Sequence, residues 1–277
     1  MKSIEIDDRT GLVRQQSSKG YQPKWRQDGF WYKADGLGYE SLAEAVCSSL
    51  LKQSTMAEQV IAYDPVRITC RGQNYRGCRS RDFRESGQEL ITLERLARSI
   101  LPQGLARQLA RIYGAKDRIR YTVELVGTLT GIENYGTYLA DLLLADALFL
   151  NEDRHTNNLA FLYDPQNRLF SPAPSFDLGA ALFSDCTRDY RFPLDYESCL
   201  GKVHAKPFSR DFDEQLNAAE ELYDTTLRFC FRPEQIAEKA FGGFDEEALA
   251  AYSPEEKARV EETLRLQARR YAAYFTA

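Results

Sequence analysis

The chain has 277 residues, 43% hydrophobic and 28% charged, enough to build one large or two smaller compact units around a core. Its net charge of −5 makes it a poor polyanion binder, so no nucleic-acid partner is expected. The charge is uneven: residues 1–85 hold 14 Lys and Arg against 11 Asp and Glu, and the remainder 22 against 30, so the N-terminal part suits a small phosphate-bearing ligand.

The opening stretch, MKSIEIDDRTG, has no apolar run, which predicts no signal peptide. GFWYKAD (29–35) alternates, with Phe30 and Tyr32 on one face and Trp31 and Lys33 on the other, the pattern of an aromatic-rich strand. After Gly36-Leu37-Gly38, a helix is predicted over YESLAEAVCSSLLK (39–52). VIAYDPVRITCRG (60–72) and NYRGCRSRDF (74–83) read as two strands broken by Asp-Pro and Gly turns, with a hinge near Arg79 to Phe83. From ITLERLARSI (91–100) the pattern is mostly helical and includes a long apolar helix, 133–150. Two short strands, NLAFLYD (158–164) and RLFSPAP (168–174), flank the turn PQN, and the tail from FDEQLNAAEEL (212–222) is again helical.

The expectation is an α+β fold with a small strand-rich lobe over residues 1–85 and a larger, mainly helical lobe over residues 86–277. No run reaches the ~18 apolar residues of a membrane span, so no membrane partner is expected. The cysteines (Cys47, Cys70, Cys78, Cys186, Cys199 and Cys230) show no C-x-x-C spacing, and free thiols in a cytoplasmic protein are predicted. With only His155 and His204 in the chain, a histidine-rich zinc site is not expected.

Between two apolar runs, NEDRHTNN (151–158) gathers Asn151, Glu152, Asp153, Arg154, His155 and Asn158 without Gly, Pro or Ser. Charges beside a core are costly unless paired or bound to metal, so this loop reads as functional. Asp153 stands five residues before Asn158, and Ser175-Phe176-Asp177-Leu178-Gly179 follows the two short strands. Upstream, Lys33 lies on a strand, followed by a helix with Glu40 and Glu44. In this order they match the parts of a kinase-type phosphoryl-transfer site, with Leu178 in place of the Phe of its Asp-Phe-Gly.

Asp153 accepts or orients the attacking hydroxyl, while Asp177 and Asn158 offer hard oxygens suited to Mg²⁺. Gly179 is expected to let the backbone at Asp177 turn. Lys33 holds the α- and β-phosphates, and a glutamate holds Lys33. Glu40 and Glu44 share one helix face, so either reaches; counting from the strand favours Glu40. Arg154 and His155 brace the loop, with His155 the second choice as general base. AKPFSRDF (205–212) reads as a core-packed loop.

At these residues the chain resembles the HipA-like kinases, a bacterial branch of the protein-kinase-like superfamily. Their N-x-D-R-H-x-x-N loop is matched by Asn151, Asp153, Arg154, His155 and Asn158, and their aromatic-Asp segment by APSFDLGAAL. Their phosphate loop, S-x-x-G-x-Q-x-K, is matched by Ser17, Gly20, Gln22 and Lys24 in SSKGYQPKW, where Ser18 adjoins. The resemblance runs from about residue 15 to 185. It implies a bilobal protein-kinase-like fold, ATP and Mg²⁺ as cofactors, Asp153 as catalytic base, and a protein Ser/Thr hydroxyl as acceptor, the chain's own included.

The chain is shorter than HipA, without room for its extra N-terminal subdomain, so the compact stand-alone HipA-like serine/threonine kinases are the nearer likeness and no toxin role is carried over. Phosphoinositide kinases share D-R-H-x-x-N, which keeps a lipid or small-alcohol kinase as an alternative. A non-catalytic nucleotide-binding scaffold is a third, disfavoured by the joint presence of Lys33, Asp153, Asn158 and Asp177. A phosphate on Ser17 or Ser18 would repel those of ATP, so self-phosphorylation there is expected to switch the enzyme off.

Overall fold

The structure is a computed structural model and describes residues 2–7 and 22–276. In chain order its elements are β1 (Lys2–Ile6), β2 (Lys24–Gln27), β3 (Phe30–Ala34), α1 (Glu40–Leu51), β4 (Asp64–Cys70), β5 (Gln73–Arg81) and β6 (Glu89–Thr92). Four helices follow: α2 (Leu93–Ala97), α3 (Leu105–Leu109), α4 (Ala115–Thr130) and α5 (Tyr135–Phe149). Then come β7 (Ala160–Asp164), β8 (Leu169–Pro172), α6 (Tyr196–Leu200), α7 (Phe212–Tyr223), α8 (Ile236–Phe241), α9 (Glu246–Ala250) and α10 (Pro254–Arg270). The fold is α+β, as the sequence predicts.

The chain divides into two compact units. The first is Met1–Asp82 with Asp177–Val203 and Arg228–Ala277; the second is Phe83–Phe176 with His204–Leu227. The units interleave along the chain, whereas the sequence expectation draws one boundary near residue 85.

In the first unit five strands lie in the order β1-β4-β5-β3-β2, with β1 parallel to β4 and the other pairs antiparallel. β2 and β3 are joined by Asp28-Gly29, both at positive φ (51° and 76°), the two-residue turn whose twist matches that of the strands. Strand alternation then sorts the side chains. Tyr32 and Ala34 join Trp25, Val66 and Ile68 in an apolar cluster on one face. Lys33 points to the other face, in register with Lys24 on β2 and Cys78 on β5.

The second unit holds the antiparallel sheet β6-β7-β8 and helices α2 to α5 and α7. β6 takes in Ile91 and Thr92, which the periodicity assigns to helix. The helix begins at Leu93, where the Thr92 side chain caps it by accepting the Arg95 N–H at 3.2 Å. α5 is apolar nearly all round and buried, yet it contains two acids, Asp141 and Asp146. Asp141 accepts the N–H groups of Thr226 and Leu227 and the Thr226 hydroxyl, each at 2.7 Å, which satisfies a carboxylate that burial would otherwise penalise. No helix among the described residues is long and apolar enough to cross a membrane, and the six cysteines form no disulfide.

Candidate active site

In the first unit, Lys33 is 8% exposed, and its ammonium bonds both Glu44 of α1 and, at 2.7 Å, Asp177 Oδ1. Lys24, its register partner, lies 3.6 Å from the same oxygen. Two lysines facing each other across strands repel; the carboxylate they share offsets that cost. Burial opposes the charge on Lys33, but Asp177 and Glu44 outweigh it and hold the lysine pKa well above its ordinary value.

Glu44 is fully buried, and its second oxygen accepts the Leu178 N–H at 2.9 Å. One α1 carboxylate therefore anchors the lysine and the turn that carries Asp177. The turn corrects one expectation. Asp177 itself takes the left-handed conformation, φ 64°, and Gly179 does not. A side chain in that region is held against an unfavourable backbone of order 1–3 kcal/mol, here by its two lysine partners and the Leu178–Glu44 bond. The segment is further tied to the β3–α1 loop. Ser184 O accepts the Tyr39 N–H at 3.2 Å, and a Cβ on Gly38 would come within 2.1 Å of that oxygen, so only glycine allows this approach.

In the second unit, α5 ends at Leu150 in the left-handed region, φ 53°, and the polar loop folds back onto the helix. Asn151 donates its N–H to Asp146 O at 2.9 Å and its Nδ2 to Asp146 Oδ1 at 2.7 Å. Arg154, 1% exposed, grips Asp146 with two bonds, Nε to Oδ2 at 2.8 Å and Nη2 to Oδ1 at 3.0 Å. Its Nη1 donates to the carbonyls of Asn158 (3.1 Å) and Phe176 (3.4 Å).

Asn158 Nδ2 donates to the Asp153 carbonyl at 2.8 Å, which orients the amide with Oδ1 on its other side. Asp153 is 6% exposed; Lys206 Nζ lies 3.4 Å from Oδ1 and His155 Nε2 lies 3.7 Å from Oδ2. His155 Nδ1 accepts the Asn157 N–H at 3.2 Å, so Nε2 is the nitrogen that carries the proton.

Of the residues chosen from sequence, Lys24, Lys33, Glu44 and Asp177 come together in the first unit, and Asp153, His155 and Asn158 in the second. The preference for Glu40 is corrected. Its carboxylate accepts the N–H groups of Leu37 (2.6 Å), Gly38 (3.0 Å) and Gly36 (3.2 Å), amides too close in sequence for it to reach past them to Lys33. Ser17, Ser18 and Gly20 lie outside the described residues. Gln22 is described, and its Nε2 is buried without a hydrogen-bond partner among the described residues.

Two residues escaped the sequence reading. Asp146 was signalled by an acid inside the apolar run LLLADALFL, which a core admits only when the acid is paired. Lys206 belongs to a stretch read as core packing. Phe208 is indeed fully buried, but Lys206 turns to Asp153.

No protein-family model matches the chain, and no curated protein matches it in sequence. Solved structures match it in fold, and that fold is the one of HipA-like kinases. It is similar to the Helicobacter pylori proinflammatory kinase CtkA, at 14% identity and TM-score 0.62, over 96% of this chain and 95% of that one. It is also similar to a chain in the Shewanella oneidensis MR-1 toxin–antitoxin complex of HipA, HipB and operator DNA, at 15% identity and TM-score 0.53, over 97% and 68%. At such identities the likeness is one of fold.

Proposed function

We propose that the protein is an ATP- and Mg²⁺-dependent phosphotransferase, a HipA-like kinase acting on serine or threonine hydroxyls of a protein, itself included. The observation that carries this reading is the pairing of Lys33 with buried Glu44 and with Asp177, beside a second lysine, Lys24. A core has no use for two lysines side by side, whereas nucleotide phosphates do. Gln22 Nε2, buried without a partner among the described residues, is a donor of the kind a phosphate oxygen satisfies.

Lys24, Lys33 and Gln22 would hold the phosphates, and Asp153 would take the proton of the acceptor hydroxyl. The acceptor oxygen then bonds to the γ-phosphorus, the bond from that phosphorus to the β–γ bridging oxygen breaks, and ADP leaves. The proton rests on Asp153 until it passes to solvent.

Mg²⁺ favours hard oxygens and few protein ligands, and the Asp177 carboxylate and Asn158 Oδ1, each in its own unit, are donors of that kind and the ones that would hold it. When bound, the ion supplies neutralisation of phosphate charge.

The test is turnover of Mg-ATP with and without a generic protein substrate, read by ADP release and by mass spectrometry of serine and threonine sites. Mg²⁺-dependent labelling that disappears in Asp153→Asn supports the reading. Labelling of a phosphoinositide or small alcohol instead moves it to the lipid or small-alcohol class. Nucleotide binding without turnover leaves a scaffold.

A further inference from the structure

Asp153 is the proposed base, and the loop around it contributes little unspent positive charge. Arg154 is committed to Asp146 and to two carbonyls. His155 directs Nε2 toward Asp153 at 3.7 Å, beyond hydrogen-bond reach. The cation nearest the carboxylate in the second unit comes from 53 residues further along the chain: Lys206, 3.4 Å from Oδ1.

Its presentation is built into the fold. Ala205 on one side is 2% exposed and donates its N–H to Arg210 O at 2.9 Å. Phe208 on the other side is fully buried, and its carbonyl accepts Arg118 Nη1 at 2.8 Å. Asp211 then caps α7 by accepting the Glu214 N–H at 2.9 Å. Between these anchors the Lys206 side chain spans from a nearly buried carboxylate to solvent, with 41% of its surface exposed. Ordinary surface pairs join two mobile, hydrated groups and contribute little. Here one partner is a buried acid, and the other stands on an anchored loop.

We propose that Lys206 is a positioning residue for the transfer step. Its ammonium fixes the plane of the Asp153 carboxylate from the Oδ1 side. Once Asp153 has taken the acceptor proton and lost its charge, Lys206 leaves a compensating positive charge beside the new phosphoester. This role rests on the phosphotransferase reading and goes beyond it, because neither the loop Asn151–Asn158 nor the Asp177 turn contains this lysine.

The experiment compares the parent chain with Lys206→Met, which keeps the apolar stem and removes the charge, and Lys206→Arg, which keeps the charge. Lys206→Met is expected to lower kcat by about tenfold to a hundredfold, the scale of a misplaced catalytic group. KM for ATP and Kd for Mg-ADP should stay within about twofold, since the ground state is untouched. Lys206→Arg should recover most of kcat. Mg-ADP with aluminium fluoride, a mimic of the transferring phosphoryl group, should bind Lys206→Met about tenfold more weakly than the parent. A merely structural lysine would lower the thermal midpoint and move all ligands alike. If the parent turns over and Lys206→Met matches it in kcat and in fluoride-complex affinity, the role of Lys206 is overturned and the kinase reading stands. If the parent neither binds Mg-ADP nor transfers phosphate, the kinase reading falls and this role falls with it.

Discussion

Two ion clusters lie close to the sequence motifs, and they are built to opposite ends. Arg154 and Asp146 are 1% and 0% exposed, joined by two parallel bonds, with Asn151 and two carbonyls completing the set. Lys33 shares its charge between two acids, one of which, Asp177, is 21% exposed and also within 3.6 Å of Lys24. The first cluster is closed: exchanging any partner strands a charge in a dry core. The second is open: two lysines share one partly exposed carboxylate, an arrangement that under the proposed function would let a phosphate take the place of Asp177 at Lys33. Closure marks the pair that shapes the loop; openness marks the pair suited to a ligand.

The largest effect is expected from breaking the closed pair. Arg154→Met should strand Asp146 and cost about 3–5 kcal/mol of stability, measured by urea denaturation of the whole chain. A loss below about 1 kcal/mol, the level of a surface pair, would mean that water reaches Asp146.

Next comes the open cluster, where the loss should fall on catalysis. Lys33→Ala should cut kcat/KM by about a hundredfold or more, near 2.7 kcal/mol of transition-state stabilisation. Its stability cost should be smaller than that of Arg154→Met, since Lys24 stays beside Asp177 and Glu44 keeps the Leu178 N–H. Steady-state kinetics and denaturation on the same variant decide this. An unfolded Lys33→Ala with no separate kinetic defect would make both clusters structural.

A smaller contrast lies within α1. Glu44→Gln removes the charge that holds Lys33 and should lower kcat/KM by about tenfold. Glu40→Gln should leave kcat/KM within about twofold, and loosening the 36–38 loop should cost about 1 kcal/mol of stability. Equal kinetic losses would return Glu40 to the site.

The residues proposed for phosphoryl transfer could be picked from sequence because that chemistry would fix their types and local spacing: Asp153 five before Asn158, Asp177 after two short strands, Lys33 on an alternating strand. Their partners were not, since tertiary structure chooses them. Glu40 and Glu44 share a helix face, and the choice depends on the Gly36–Gly38 amides taking Glu40 first. Lys206 reaches Asp153 through a loop whose sequence shows only the buried Phe208. The main elements of the fold follow from periodicity, but β6 hides in a helix-like stretch. The return of Asp177–Val203 and Arg228–Ala277 to the first unit has no local signature at all.

The smallest effect is expected at Asp35, a buried acid that is neither closed nor open. It accepts the Ser41 N–H at 2.7 Å and the Ser41 hydroxyl, and Arg76 Nε lies 3.2 Å from its Oδ2. That distance alone argues for a firmly ionised acid. Yet Oδ2 accepts no hydrogen bond among the described residues, because Arg76 directs Nη1 to Glu256 at 2.8 Å and Nη2 to Glu256 at 3.0 Å and Gly38 O at 2.7 Å. Burial, followed by repulsion from Glu40, therefore prevails over Ser41 and Arg76 and pushes the Asp35 pKa up to about 7. The folded chain holds this proton where the unfolded chain, near 3.8, has released it. The stability it contributes is full below the unfolded value and is lost as pH rises to about 7. From pH 6 to pH 8 the loss should be about 1 kcal/mol, and Asp35→Asn, neutral throughout, should not show it. Urea midpoints of parent and variant at the two pH values measure the difference. If the parent holds its stability relative to the variant at pH 8, Asp35 is ionised in the fold and Arg76 is its true partner, which would make this a third ion pair and place it with the closed kind.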